Sequence, residues 1–293
     1  MRRACVSVFL AVLLASVPGL SQTWDEVISD GSFVWGEGWG RTLEEADREA
    51  LRALGSRIDV SVSSDFLHTE DQRTGTSGTA YASHTSTRLS LHSCVRLSNT
   101  SRVILREGRK YHVGRWIRRD ELEALLSDRR LRVLEYESMA GEAEKDLRIG
   151  DALRYHYWAY ITLRSIRRPS ELRDTDGRML VVAIPERINA ILSGISVKAA
   201  KNSDSLNLFF RYNGTPVRSL DFTFFDGQAW SRPLAAKDGL ATVRFAPGAL
   251  GEVIQLRIEY AYPGEAALDD DLSAVVSSAD SVPFRKSYMI FRR

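Results

Sequence analysis

Over residues 32–66 the spacing of apolar side chains changes twice, and this orders the local structure more tightly than any other stretch of the sequence. Residues 32–37 alternate as a strand does, and Thr42 with Glu45 supplies a capping box, in which each side chain satisfies an orphan amide of a starting helix. Leu43, Ala46, Ala50 and Leu54 then recur at helical spacing and form one apolar stripe. At Ile58, Val60 and Val62 the spacing falls to two, which predicts that the helix hands over to a second strand. Gly36, Gly38 and Gly40 stand where the first strand meets the helix. That is the context of a phosphate cradle, but a dinucleotide fingerprint wants its third glycine at position 41, where Arg41 stands, and no Gly-Lys-Ser/Thr occurs. The expected role of these glycines is a bulge that turns the strand sharply into the helix.

Residues 68–87 are rich in Thr, Ser and Gly without an apolar period, and they predict a mobile hairpin tip. Alternation returns over 88–97, 102–107 and 111–116, so a βα unit with an antiparallel meander forms an α+β domain over residues 22–117. A helical connector follows over 118–194. Its first helix carries Leu122, Leu125 and Leu126 and runs towards Leu147; Gly150 interrupts it, and Asp151 caps a second helix to complete a helical hairpin. Tyr155, Tyr157, Trp158 and Tyr160 fan around that second helix. Burial between the flanking domains is the expected reason, and a partner surface with aromatic anchors is the alternative. One tetratricopeptide-type hairpin is visible here without a second copy, which argues against a solenoid. Pro185 suits the first turn of a further helix carrying Ile188, Ile191 and Leu192, closed by Ser193 and Gly194. Over 195–293, short apolar runs at 206–212, 220–225, 241–245, 253–262 and 288–291 alternate with turn signals such as Asn213-Gly214. The expected fold is therefore α+β and multidomain, ending in an antiparallel β-sandwich of immunoglobulin type.

The glycine pair Gly36 and Gly38, followed by Ala46, Asp47, Ala50, Leu51, Leu54, Ile58, Val60 and Val62, resembles the amino-terminal motif of the LPP-twenty lipoprotein family. The resemblance covers roughly residues 32–117. The amino-terminal domain of the flagellar accessory protein FlgT is similar at the same level. The resemblance implies an envelope-associated binding or assembly module without recognised catalytic residues.

The amino-terminus points to the same compartment. Arg2 and Arg3 precede an apolar run over 6–17, and Pro18, Gly19, Leu20 and Ser21 follow, which is the order of a secretory signal peptide over residues 1–21 with cleavage between Ser21 and Gln22. The run is too short to span a bilayer, and no later stretch is apolar enough to do so. Cys5 lies ahead of the apolar run and cannot serve as a lipidation cysteine, so the exported chain is expected to be unlipidated. Cys94 is then the only cysteine left, and the fold must be held by its core instead of by disulfides. With 40 basic and 38 acidic residues the formal charge is +2, which gives no nucleic-acid footprint.

Candidate chemistry is sparse. The five histidines, at 68, 84, 92, 112 and 156, show no helical pair of ligands; His92 and Cys94 share a strand face but lack a second pair. No Gly-x-Ser-x-Gly elbow is present. Asp269, Asp270 and Asp271 lack the spacing of a calcium loop and read as a solvated loop. Arg115, Arg118 and Arg119 around Trp116 read as surface pairs of Asp120, Glu121 and Glu123. No catalytic, cofactor or metal residues are assigned. The expected function is a non-enzymatic binding, structural or assembly role in the periplasm or outer envelope, with other envelope proteins as partners. The alternatives are an envelope hydrolase acting on peptide or glycan, with a site assembled from distant residues, and a carbohydrate-binding module using Phe209, Phe210, Phe224, Phe225 and Trp230.

Overall fold

The computed structural model describes residues 23–74, 100–107, 110–166, 169–201, 205–225, 228–244, 253–259, 263–278 and 284–291. The signal peptide expected over 1–21 with cleavage between Ser21 and Gln22, the strand expected over 88–97, and Cys94 lie outside the described residues. Those described combine helices with antiparallel sheets.

A short helix α1 (Trp24–Ser29) is closed at its start by a reciprocal capping box of Thr23 and Glu26. It leads into β1 (Phe33–Gly40), which joins β2 (Ser101–Glu107) and β3 (Lys110–Arg118) in a three-stranded sheet of order β1-β3-β2. Helix α2 (Leu43–Thr74) lies across one face of this sheet. Its start follows the expected box, because Glu45 N–H donates to Thr42 Oγ1 at 3.1 Å and Thr42 N–H donates to Glu45 Oε2 at 3.4 Å. The handover to a strand at Ile58 does not occur. The helix continues through 58–62 and on to Thr74, so residues 68–74 are helical where a hairpin tip was expected. Ile58 fits both periods, four after Leu54 and two before Val60; it is buried beside Leu54 and Val34, so the helical stripe under β1 prevails.

Two long helices follow, α3 (Arg119–Lys145) and α4 (Ile149–Leu163). The break between them falls at Leu147, which takes φ 58°, while Arg148 N–H reaches back to Ala143 O at 2.8 Å. This corrects the expected stop at Gly150, which is helical and buried, and the expected cap at Asp151, which instead sits in the first turn and accepts from Arg148 and Arg154. Helix α5 (Leu180–Gly194) starts at Leu180, so Pro185 is internal to it, in place of the expected first-turn position. Its missing N–H leaves the Val181 carbonyl without a helical donor.

The remaining strands are β4 (Ile195–Lys201), β5 (Ser205–Tyr212), β6 (Thr215–Pro216), β7 (Ser219–Phe225), β8 (Leu234–Lys237), β9 (Leu240–Arg244), β10 (Val253–Glu259) and β11 (Arg285–Phe291). They pair antiparallel along one path, β11-β10-β7-β8-β9-β5-β4, with β6 on β5. The strands expected to divide between two facing sheets thus form a single sheet that curls nearly into a barrel. Asn213-Gly214 and Asp238-Gly239 turn its hairpins with positive φ at both residues, the geometry that matches the right-handed twist of the flanking strands. Two helices absent from the sequence reading, α6 (Pro263–Ala266) and α7 (Asp270–Ser278), pack on one another, and α7 packs on α4. One cluster of buried side chains runs from Val34, Leu54 and Ile58 through Leu122, Leu153 and Ile161 to Phe210, Phe222 and Leu256, joining the helices to both sheets.

Candidate functional site

The glycine motif is a packing strip. Gly36, Gly38 and Gly40 point at α2 from β1, and a Cβ added to them would sit 2.2 Å from Leu54 N, 2.2 Å from Ala50 N and 2.4 Å from Ala46 N. The six motif residues Gly36, Gly38, Gly40, Ala46, Ala50 and Leu54 are therefore brought together, with strand and helix in backbone contact. β1 keeps an unbroken register with β3 from Phe33↔Arg118 to Gly40↔Tyr111, so the expected bulge is absent. The glycine faces are filled by helix backbone, which leaves no space for a phosphate. Asp47 completes the attachment through a fork with Arg115, both bonds 2.8 Å, which binds α2 to β3. Hydrogen bonding to that guanidinium holds the Asp47 carboxyl below its ordinary range.

Among the described residues β1 is a rim strand of its sheet. Arg119 N–H donates to Ser32 O at 2.8 Å, which sets the phase of the antiparallel ladder. Residues 34, 36, 38 and 40 therefore bond to β3, and the main-chain groups of Trp35 and Glu37 point away from the sheet. No described residue pairs with those outward groups. Beside this edge lies a cleft of about 280 Å³ lined by Phe33, Val34, Trp35, Arg57, Ile58, Arg119 and Leu122. Arg57, reaching up from α2, lays its guanidinium 3.5 Å from the centre of the Trp35 ring. Trp35 is held in turn by an edge-on contact with Trp24 at 5.6 Å, and Gly114 makes room for Trp24, whose ring lies 2.4 Å from where a Cβ would be. Arg119 donates to Gly31 O at 2.6 Å. Neither cleft arginine meets a carboxylate among the described residues, in contrast to Arg115, Arg118, Arg129, Arg148 and Arg187, each of which does.

Other polar clusters serve as staples. His156 Nδ1 lies 2.6 Å from Glu137 Oε1, Arg187 donates to Glu137 Oε2 at 2.6 Å and to Asp174 Oδ2 at 2.6 Å. This chain ties α3, α4 and α5 together, and His156 at its end is buried. The aspartates expected in a solvated loop are a second staple. Asp269 accepts from the Asp271 and Leu272 amides, both at 3.0 Å, which starts α7, and it also pairs with Arg132. Asp271 holds the buried Arg129 through Nε at 2.9 Å. Of the basic trio around Trp116, Arg118 pairs with Asp120 as expected, whereas Arg115 goes to Asp47 and Arg119 to the Gly31 carbonyl.

The aromatics of α4 are packed within the chain to different degrees, Tyr155 and Tyr160 staying partly exposed. Tyr157 and Trp158 are buried, Trp158 meets Tyr136 and Tyr155 edge-on at 5.8 Å each, and Tyr160 packs against Phe284 at 5.3 Å. On the large sheet Phe210 enters the core while Phe209 faces outward, and Trp230 is exposed against Phe225 and Arg257. Trp39 is exposed and stacks on His112 at 3.8 Å, with His112 Nε2 3.0 Å from Glu37. Among the described residues no cluster of three or more His, Cys, Asp or Glu is placed to hold a metal ion, and no helix is long and apolar enough to cross a membrane.

Sequence reasoning missed Arg57 and the role of Arg119. The signal was present in part: Arg57 is three residues beyond Leu54 and adjacent to Ile58, which puts it at the rim of the apolar stripe. No protein-family model matches the chain, and no curated protein or solved structure matches it.

Proposed function

We propose that the chain is an exported cell-envelope protein with a binding or assembly role and no catalytic activity. The observation that supports this best is the cleft beside β1, where a strand edge and two arginines, none of them paired with another strand or a carboxylate among the described residues, lie with an aromatic floor at the surface. Such a site offers recognition, since it presents hydrogen-bonding groups and charge but no nucleophile with an adjacent base. The amino-terminal signal pattern and the LPP-twenty resemblance of residues 32–117 support the same compartment and the same kind of role. The three-part layout of residues 22–117, 118–194 and 195–293 goes with this reading, with Phe33, Val34, Trp35, Arg57 and Ile58 of the first part and Arg119 and Leu122 of the second lining the cleft. The test is crosslinking in intact envelopes followed by pull-down. A reproducible protein partner is the expected result, and recovery of none in repeated preparations sinks the proposal.

A further inference from the structure

We propose that the edge of β1 with which no described residue pairs is a docking strip for an extended acidic segment of a partner protein, which pairs with the main chain of Trp35 and Glu37 and sets a carboxylate against Arg57 and Arg119. The inference rests on the binding role proposed above and names the chemistry of what is bound.

Three observations converge on it. The outward N–H and C=O groups of Trp35 and Glu37 repeat at alternate residues, which is the spacing an added strand requires. Edge strands with such unpaired groups are usually covered or charged, and here two arginines that meet no carboxylate among the described residues line the cleft beside the edge. The cleft beneath the edge then takes alternate side chains of the added strand. Those on one face lie along Trp35, and those on the other fall over Val34, Ile58 and Leu122, so the segment alternates apolar residues and carries at least one Asp or Glu.

Charge complementarity selects the occupant. A second copy of this chain pairing edge to edge through the same strip would bring Arg57 towards Arg57, a like-charge contact that opposes dimerisation. The acidic groups near the edge are engaged inside the chain: Glu37 turns to His112 at 3.0 Å, and Asp120 takes the Arg118 fork at 3.0 Å. The field at the cleft is therefore set by the guanidiniums. Arg57 is held against Trp35, its guanidinium carbon 3.5 Å from the ring centre, which lowers the entropy cost of ordering a free side chain in the cleft.

The experiment is selection of a phage-displayed random nonapeptide library on the mature chain, with an Arg57→Glu/Arg119→Glu variant as the counter-target. Both residues are exposed, so the variant keeps the wild-type circular dichroism spectrum. Enriched peptides are expected to alternate apolar residues and to contain Asp or Glu, and a synthetic winner loses about tenfold or more in affinity for the double variant, as expected for a lost charge-assisted hydrogen bond. N-methylation of that peptide at alternate residues abolishes binding, while methylation one residue along leaves it intact. No enrichment, winners without carboxylates, equal binding to both proteins, or N-methyl effects without alternation each overturn the proposal. A dimer in sedimentation that the double variant abolishes assigns the strip to a second copy and overturns it as well. If crosslinking in envelopes recovers a partner equally well with the double variant, the assembly role stands and this docking strip falls.

Discussion

Replacing Gly38 by alanine tests the backbone contact on which the amino-terminal unit is built. The added Cβ would lie 2.2 Å from Ala50 N, 2.3 Å from Ala46 O and 2.7 Å from Glu49 C. All three are main-chain atoms of α2, so no side chain can rotate aside, and helix and strand must separate by about 1 Å to restore ordinary contact. Overpacking of this kind costs about 1–3 kcal/mol, and the rigid neighbours put this site at the upper end. Reduced freedom of the unfolded chain offsets about 0.4–1 kcal/mol of that. The net expectation is a loss of about 2 kcal/mol, a large part of the margin of a typical domain. Urea unfolding followed by tryptophan fluorescence reads it, because Trp24, Trp35, Trp39 and Trp116 all belong to the unit concerned. The control is Gly141→Ala in α3, where an added Cβ meets nothing within 4 Å. There the helix gains up to about 1 kcal/mol. If Gly38→Ala matched the wild type, or tracked Gly141→Ala, the packing-strip account would be wrong.

Asp271→Ala removes the carboxylate from the buried Arg129 guanidinium and is expected to cost about 3 kcal/mol in chemical unfolding, whereas the double change Arg129→Met/Asp271→Leu, which removes both charges, recovers most of that loss. The Asp47 carboxyl is held below its ordinary value by its hydrogen bonds to Arg115, so its contribution is complete above the unfolded-state value near pH 4 and fades as pH falls through the lower folded value. The stability difference between wild type and Asp47→Asn should accordingly narrow below about pH 4, as measured by urea midpoints at pH 6 and pH 3; a constant difference would refute the fork as its source. Burial, and then the 2.6 Å hydrogen bond to Glu144, raise the Tyr212 hydroxyl to about 12. Its contribution is present below about pH 10 and is lost as pH rises towards the folded value, so Tyr212→Phe should remove a phenolate transition near pH 12 from the ultraviolet absorbance titration.

What was legible in the sequence is what local chemistry decides. The Thr42/Glu45 box, the stripe Ala46-Ala50-Leu54 and the Asn213-Gly214 turn each depend on a few neighbouring residues, and each occurs where the pattern puts it. The errors arise where distant groups decide. Ile58 satisfies two periods, and only the strand packed above α2 selects the helical one. Asp269 and Asp271 look like a solvated loop until Arg129 and Arg132, over 130 positions earlier, are placed beside them. Pro185 inside α5 shows the same effect, because Leu180 N–H already bonds to Leu172 O at 2.9 Å and starts the helix earlier than proline chemistry suggests. Arg57 escaped notice because its significance depends on the absence of a carboxylate and on the ring of Trp35, neither of which spacing reveals.

The glycines and the cleft are connected by geometry. Gly36, Gly38 and Gly40 bring α2 into backbone contact with β1 itself, so the helix packs most closely under that strand while Ala46, Ala50 and Asp47 also reach β3. One turn beyond Leu54, its side chains emerge at the strand's open side, which is why Arg57 reaches Trp35 and Ile58 lines the cleft. A larger residue at position 38 would push the helix out and lift Arg57 from the ring. The motif that holds this unit together is thus also what places a cation beside a strand edge that no described residue pairs with.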